Sequence, residues 1–288
     1  MDPHLLRTYV TVARLASFSA AARELGFTQS AVSQHIAALE HDLGMPLLSR
    51  RPVAPTRAGE RLLEHAGSLL LRLEAARADL ARMAGEPAEE LTLAASPLAV
   101  RPDALAALPV SRATLRVLPR EEIPVAVAKG SADLGLVDGL AAPSDPLRLP
   151  DVAPLTATGV AEEPVAVVLP DGHPLTRRPG LRLADLVDAR WLDAPEAGLP
   201  LDQLRAATAT ARGFRPALRY EGTDIRTLIG LAAAGHGLTL LPLAPARAYG
   251  TVAVPLTEPR LVHRTELLHT GVLRGPAEEL ARRLQSGP

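Results

Sequence analysis

Short polar side chains gather on one face of the segment spanning residues 28–44. Ser30, Ser33 and Gln34 recur there at helical spacing, and each can both donate and accept hydrogen bonds. Glutamine can form paired hydrogen bonds to adenine, and serine can reach a phosphate or a base edge. These residue types therefore indicate contact with the bases and phosphates of double-stranded DNA.

An apolar stripe on the same segment determines which face stays polar. Val32, Ile36, Leu39 and Leu43 fall at i, i+4, i+7 and i+11, which is one side of a helix. Thr28 is the predicted N-cap, and the glycine at 44 ends the helix. Three alanines keep this helix slim enough for the major groove, which is roughly 12 Å wide.

Two shorter helices are predicted before it. Pro3 to Leu15 has helical apolar spacing with proline in its first turn. Ser19 is the predicted N-cap of a helix over 20–25, which Gly26 ends. Together these elements predict a helix-turn-helix whose last helix reads the bases. An ordinary amphipathic helical hairpin in a small bundle fits the spacing equally well.

The next segment, MPLLSRRPVAPTRAG at 45–59, favours the DNA-binding interpretation. Arg50, Arg51, Thr56 and Arg57 surround two prolines, as expected of a short hairpin, or wing, that contacts phosphates or enters a minor groove. Residues 1–60 hold six arginines against five acidic residues, so the net charge there is +1, and half of these arginines lie in the wing. The alternative is a solvated turn.

Residues 1 to about 60 resemble the winged helix-turn-helix of LysR-type transcriptional regulators. The resemblance rests on SAAARELGFTQSAVSQHIAALEHDLGMPLL at 19–48, Arg50, and Thr56 followed by Ala-Gly at 58–59. It implies that residues 29, 30, 33 and 34 approach DNA and that Arg50 lies at the wing, although this wing is about two residues shorter than usual. The candidate DNA-binding residues are Thr28, Gln29, Ser30, Ser33, Gln34, Arg50, Arg51, Thr56 and Arg57.

A long helix is predicted to follow, because no proline occurs from Arg57 to Met83 and a helical apolar stripe continues throughout. About 27 residues would span about 40 Å, too long to bury the stripe in a sixty-residue domain. We therefore expect residues 61–86 to pair with a second copy, as in the resembled family, giving a homodimer or homotetramer. Packing against the chain's own C-terminal domain is the alternative. Residues 85–90 are the predicted hinge.

The remaining chain, 91–288, alternates strands with helices and predicts an α/β domain with mostly parallel sheets. The predicted strands are 91–95, 114–118, 133–137, 164–169, 217–220, 238–241, 252–255 and 266–273. The predicted helices are 102–108, 121–129, 183–186, 199–211, 225–234 and 276–284. Trp191 is predicted to lie in the core.

Ligands of such sheets bind where strands end and helices begin, which points to three places. Ser96 and Pro97 follow the first strand, and Asp138 ends another. Thr223 or Asp224 is predicted to cap a helix whose free amides could hold an anion. Alternatively, Ser96 and Thr223 only cap helices, and Asp138 is a turn residue.

These motifs resemble the effector domain of LysR-type regulators, a pair of α/β subdomains of periplasmic-binding-protein type. The resemblance implies a small-molecule effector between subdomain I, about 91–155 and 256–288, and subdomain II, about 156–255. Ser96, Asp138, Thr158 and Thr223 would face that cleft, with Pro97 and Asp224 beside them. Subdomain I is about ten residues shorter than usual between positions 98 and 114.

Composition narrows the class of protein. The 288 residues carry a net charge of −1 and include no cysteine, and the chain lacks a signal-peptide pattern and a long apolar run. We expect a cytoplasmic protein without a membrane partner, metal or cofactor. Two alternatives remain: a DNA-binding regulator whose C-terminal domain only assembles oligomers, and an α/β enzyme. The sequence contains no HExxH, GxSxG or phosphate-loop motif that would support an enzyme.

Overall fold

The computed structural model describes residues 1–84, 90–109, 112–152, 154–170, 172–208, 213–248, 250–271 and 273–286. The chain divides into two compact units. The first comprises residues 1–77 with 151–153, and the second comprises residues 78–150 with 154–288. Each unit is described by itself below.

The first unit begins with three helices, α1 (Pro3–Leu15), α2 (Phe18–Leu25) and α3 (Gln29–Leu43). Thr28 caps α3 by accepting a hydrogen bond from the Ala31 amide at 3.1 Å, as predicted. Left-handed glycines at 26 and 44 end α2 and α3. The three helices share one apolar core, whose fully buried members include Tyr9, Val12, Ala21, Val32, Ile36 and Leu39.

The prediction that Ser19 caps α2 was wrong. The cap is Ser17, which has an extended backbone and accepts a hydrogen bond from the Ala20 amide at 3.2 Å. The helix begins at Phe18 because this aromatic ring is 9% exposed and belongs to the core of the unit. Ser19 is therefore an exposed residue of the first helical turn.

The predicted wing and long helix are both present. Strands β1 (Leu48–Arg50) and β2 (Val53–Pro55) form an antiparallel hairpin, and α4 (Arg57–Ala84) follows with 28 residues. The preceding Leu47 is 1% exposed and anchors the hairpin in the core. The predicted hinge lies outside the described residues except for Glu90.

The second unit alternates strands and helices as predicted, with several shifted boundaries. Its strands are β3 (Leu91–Ala95), β4 (Ala113–Val117), β5 (Leu134–Ala141), β6 (Thr156–Leu169), β7 (Leu181–Arg182), β8 (Arg190–Asp193), β9 (Arg215–Arg219), β10 (Thr239–Pro242), β11 (Val252–Glu258) and β12 (Val262–His269). Its α-helices are α5 (Pro102–Ala107), α6 (Glu122–Ala128), α7 (Leu201–Thr208), α8 (Ile225–Ala233), α9 (Leu243–Ala248) and α10 (Pro276–Ser286). Short 3-10 turns cover Pro97–Ala99, Pro174–Arg177 and Leu183–Leu186. The predicted extensions over 209–211 and at 272 lie outside the described residues.

The prediction of mostly parallel sheets was wrong, because the main sheet is mixed. Its order is β4-β3-β5-β12-β6-β11-β7, and β10 also pairs with β6. Strands β4, β3 and β5 are parallel, whereas β12 runs antiparallel to both of its neighbours. The long β6 pairs with β12 through its first part and with β10 and β11 through its last part. The alternation of strands and helices along the chain did not reveal that β12 runs antiparallel to its neighbours.

Separate apolar clusters lie on the two parts of this sheet. One surrounds the end of β6 and includes Trp191, which is fully buried, packs edge-on against Phe214, and donates a hydrogen bond to the Leu186 carbonyl at 3.0 Å. The core prediction for Trp191 is confirmed. The other clusters lie around β3, β5 and α6. No helix among the described residues has the length and apolar character needed to cross a membrane.

Candidate nucleic-acid interface and effector site

The α3 helix buries one face and exposes the other, as its spacing predicts. Val32 and Ile36 have no exposed surface, while Ser30 and Gln34 are exposed and Ser33 is half-buried. Gln29 is also exposed at the start of the helix. A row of hydrogen-bonding side chains thus faces outward from the amino-terminal half of α3, the geometry needed to reach base edges in a major groove.

Two residues, Glu40 and Gly59, hold the wing in place, a role that the sequence did not indicate for either of them. The Glu40 carboxylate accepts hydrogen bonds from the Leu47 and Leu48 amides at 2.8 and 3.2 Å, so α3 fixes the start of the hairpin. At the start of α4, a Cβ on Gly59 would lie 2.2 Å from the Leu47 carbonyl oxygen and 2.5 Å from the Tyr9 hydroxyl oxygen. This close approach requires glycine.

The burial of Tyr9 beneath this contact changes the pKa of its hydroxyl group. Desolvation, together with the nearby negative charges of Glu60 and Glu40, raises the pKa of Tyr9 to about 12. The phenol therefore stays neutral through the physiological range, and the pair Tyr9 and Gly59 serves as an uncharged packing contact under the wing.

The arginines of the amino-terminal unit fall into two groups. Arg7 and Arg14 form ion pairs with Glu74 and Glu24. Among the described residues, the wing arginines form no ion pair with a carboxylate, and all three are exposed; they are Arg50, Arg51 and Arg57. Arg23 is the other exposed arginine of residues 1–60 without an ion pair among the described residues, so three of these four available positive charges lie in the wing, despite a net charge of only +1 over residues 1–60.

Contacts within the protein position two of the predicted wing residues. The Arg50 guanidinium lies 5.2 Å from the centre of the Phe18 ring, a cation–π arrangement that holds its side chain against α2. The Thr56 hydroxyl donates to the Pro46 carbonyl at 2.8 Å and accepts from the Gly59 amide at 3.1 Å. Thr56 thus joins the wing to α4, a structural role that the sequence did not indicate.

In the second unit, two predicted effector residues meet inside the fold. Ser96 follows β3, Asp138 lies within β5, and both are almost fully buried. The Ser96 hydroxyl donates to the Asp138 carboxylate, and the Asp138 amide donates back to that hydroxyl at 3.1 Å. The adjacent Pro97 is also buried. Ser96 forms no side-chain cap, and Asp138 is a strand residue, so both structural alternatives for these residues were wrong.

Two further partners complete the cluster around this carboxylate. Arg120 donates to the Asp138 carboxylate at 2.7 Å and to its backbone carbonyl at 2.6 Å, and the His263 Nε2 atom lies 3.0 Å from the same carboxylate. Neither residue was predicted. Among the described residues, the buried His263 Nδ1 and Thr265 hydroxyl have no hydrogen-bond partner, so hydrogen-bonding capacity remains beside the cluster.

The charge state of Asp138 follows from these contacts. Burial alone would raise the pKa of its carboxyl group, but the positive charge of Arg120 and hydrogen bonds from His263 and Ser96 outweigh that effect. The pKa of Asp138 is therefore held well below its ordinary value. The residue is a buried, fully ionised carboxylate at neutral pH.

Two hydrogen bonds connect this cluster region with the segment before and within α7. The Arg120 guanidinium donates to the Gly198 carbonyl at 3.3 Å, and the Gln203 side-chain oxygen accepts from the Leu140 amide at 3.2 Å. The same arginine thus contacts Asp138 and a segment that packs around β6 and Trp191. A change in the partners of Arg120 would alter both contacts together.

The other predicted effector residues form no hydrogen bond with this cluster among the described residues. Thr158 is a half-buried residue of β6, separated from β5 by β12. Thr223 and Asp224 are exposed at the start of α8, where Asp224 is the cap. An open groove of 330 Å³ is lined by Asp188, Ala189, Arg190, Arg215, Pro216 and Ala217, none of them predicted.

The expectation that the first amides of α8 are free for an anion was wrong. The Asp224 carboxylate accepts from the Arg226 and Thr227 amides, each at 3.1 Å, and from the Thr227 hydroxyl at 2.6 Å. These hydrogen bonds, with that of the Thr227 hydroxyl foremost, lower the pKa of Asp224. The protein's own carboxylate occupies the helix terminus.

Comparison with known proteins decides the family. A model described as a bacterial regulatory helix-turn-helix protein of the lysR family matches residues 3–60, and a LysR substrate binding domain model matches residues 84–277. The chain belongs to the LysR family. This LysR-family protein is a DNA-binding transcriptional regulator, and its C-terminal domain is of the effector-binding type.

Individual relatives agree with that assignment. The LysR-family chain is 33% identical over 250 residues to a probable hydrogen peroxide-inducible genes activator of Mycobacterium avium, covering 82% of this chain and 76% of the relative. It resembles the structure of an OxyR mutant from Corynebacterium glutamicum, with a TM-score of 0.52, 25% identity, and coverage of 99% and 91% of the two chains. It shares the fold of full-length CbnR complexed with its target DNA, with a TM-score of 0.55, 20% identity and 99% coverage of both chains.

Proposed function

We propose that this LysR-family regulator reads its operator through the exposed face of α3 and grips the flanking phosphates through the wing. The separation of the α3 faces supports this proposal, because Val32 and Ile36 are buried while Gln29, Ser30 and Gln34 are exposed on the opposite face. Arg50, Arg51 and Arg57 supply the phosphate contacts. Thr28 and Thr56 act by positioning the helix and the wing.

We further propose that α4 pairs two copies of the chain. Leu69, Leu80 and Met83 are 43%, 66% and 74% exposed, and their spacing places them on one stripe of the helix. Large apolar side chains along so long a helix are stabilised by a second helix of the same kind. A twofold pair would present two α3 helices to an inverted-repeat operator.

The effector proposal centres on the buried cluster around Asp138. Ser96 and Asp138 organise the site, and Arg120, His263 and Thr265 supply the groups that a small molecule could engage. A ligand that takes Arg120 away from the Gly198 carbonyl would shift subdomain II relative to subdomain I, and so bias the arrangement of subunits. In this proposal, any role of Thr158, Thr223 and Asp224 is confined to the rim of the cleft between the two subdomains.

Selection of bound fragments from the source genome tests the DNA proposal directly. The full-length protein should enrich fragments that share an inverted repeat, and these should bind more tightly than random DNA at the same salt concentration. Recovery of fragments without a shared motif would contradict base recognition. Because the DNA target is chromosomal, we propose that the protein acts in the cytoplasm, and the proposal includes no catalytic step.

A thermal-shift screen of metabolites separates the effector proposal from the alternative of a purely oligomerising C-terminal domain. A ligand of the native state raises the melting temperature. The wild type should respond to at least one compound, and Thr265→Val should weaken that response while it preserves the shape of the side chain. If no compound stabilises the wild type, the oligomerising alternative is favoured.

A further inference from the structure

A serine on α2 contacts the first residue of the helix proposed to read DNA. The Ser19 hydroxyl donates a hydrogen bond to the side-chain oxygen of Gln29 at 3.1 Å. Both residues are exposed, and the pair joins α2 to α3 across the turn. Because Ser17 caps α2, the Ser19 hydroxyl is free to make this contact.

This hydrogen bond determines which part of the Gln29 amide is available to DNA. A carboxamide has one oxygen that accepts and one NH₂ group that donates. With its oxygen directed to Ser19, Gln29 presents chiefly its NH₂ group to a duplex. Bidentate recognition of adenine needs both groups on the same base, since adenine offers an acceptor at N7 and a donor at N6.

Guanine and adenine differ in the hydrogen-bonding groups that they present in the major groove. The major-groove edge of guanine carries two adjacent acceptors, N7 and O6, which match an amide that presents donors alone. The arrangement on α3 therefore differs from the adenine contact that glutamine commonly makes. Gln34, which lies five residues further along the helix and is exposed, forms no comparable side-chain hydrogen bond among the described residues.

We propose that Ser19 is a specificity-determining positioning residue, which orients the Gln29 amide so that Gln29 selects guanine rather than adenine at one operator position. This inference rests on the proposed function, because it requires α3 to lie in the major groove. Ser19 acts through Gln29 and needs no contact of its own with the bases.

Binding measurements on a panel of operators test the inference. The duplex is the operator obtained by genomic selection, with each base pair replaced in turn, and affinity is measured by fluorescence anisotropy at one salt concentration. Gln29→Ala should abolish the base preference at a single position, which identifies the base pair that Gln29 reads. At that position the wild type should favour guanine over adenine by about fivefold or more.

Two substitutions at residue 19 then separate the hydroxyl from its surroundings. Ser19→Ala should reduce the guanine preference at the Gln29 position or turn it toward adenine, because the amide becomes free to rotate. Ser19→Thr keeps a hydroxyl and should keep the preference. Urea unfolding of both variants checks that stability is unchanged.

Several results would overturn the inference, and they differ from failure of the proposed function. An adenine preference in the wild type, or an unchanged preference in Ser19→Ala, excludes the positioning role while specific binding persists. A uniform loss of affinity for all operators in Ser19→Ala identifies a phosphate contact instead, which also overturns it. Loss of all preference for the operator over random DNA in the wild type would refute the proposed function and this inference with it.

Discussion

Arg120 and Asp138 form the ionic centre of the C-terminal unit. The guanidinium donates to the carboxylate at 2.7 Å and to the backbone carbonyl of the same aspartate at 2.6 Å. Asp138 has no exposed side-chain surface, and Arg120 has 13%. Removal of one partner from a buried pair leaves an uncompensated charge, which makes this contact a sensitive point for stability.

Asp138→Asn should lower the free energy of unfolding by about 3 kcal/mol at pH 7, because the buried Arg120 then loses its counter-charge. Urea unfolding followed by circular dichroism measures this change. Asp185→Asn replaces an exposed carboxylate and should change the free energy by less than about 0.5 kcal/mol. Equal effects of the two substitutions would contradict a stabilising role for the cluster.

The same variant should show a distinct pH dependence. The native pKa of Asp138 lies below its unfolded value of about 3.9, so its stabilising contribution is present above the unfolded value and is lost progressively as the pH falls from there toward the lower native pKa. The difference in stability between the wild type and Asp138→Asn should therefore narrow below about pH 4. Thermal unfolding between pH 3 and 7 checks this expectation, and a constant difference would refute it.

Ser17→Ala should destabilise the amino-terminal unit by about 1 kcal/mol, since the Ala20 amide loses the hydrogen bond that caps α2. Ser19→Ala is the matched control and should cost less than about 0.5 kcal/mol, because Ser19 is exposed and caps nothing. Chemical unfolding distinguishes the two variants. A larger effect at Ser19 would restore the cap assignment that the sequence favoured.

Gln34→Ala should weaken binding to the operator by about 1–3 kcal/mol and leave binding to random DNA nearly unchanged, as expected for a residue that reads bases. Ser33→Ala should change binding in the same direction. Arg50→Ala should weaken binding to both DNAs equally and reduce the salt slope by about one unit, because its proposed partner is a phosphate.

The control for these DNA measurements is Arg61→Ala, which removes an exposed positive charge outside the wing. It should change neither the affinity for the operator nor the salt slope. Titrations at several salt concentrations by fluorescence anisotropy provide both quantities. Equal losses of affinity for operator and random DNA in all three test variants would exclude base recognition by α3.

Leu80→Glu combined with Met83→Glu should weaken self-association by about a hundredfold or more, because burial of each apolar side chain contributes about 1.5–3 kcal/mol. Ser68→Glu adds one such negative charge about 100° around α4 from Leu69 and should leave assembly intact. Sedimentation velocity across a range of concentrations measures the change. An unaltered assembly in the double variant would place the interface elsewhere.

Local signals were sufficient for much of the amino-terminal unit. The predicted bounds of α1 agree with the structure, and α3 ends at Leu43 before Gly44, because caps and apolar spacing act within a few residues. The choice between two nearby serines for the α2 cap was different. It depended on burial of the Phe18 ring in a core built by other helices, which a local pattern does not reveal.

The amino-acid sequence by itself determined the α3 faces, the wing, the long α4 helix and the position of Ser96 just after β3, because each depends on neighbouring residues. Asp138 was predicted to end a strand, but β5 continues through it to Ala141 because β12 pairs with it as far as that residue. Only the tertiary structure decided the antiparallel direction of β12 and the partners of Asp138. Arg120, Ser96 and His263 lie 18, 42 and 125 residues from that aspartate in the chain. Contacts over such separations arise from strand order and pairing, which the packing of the whole sheet sets.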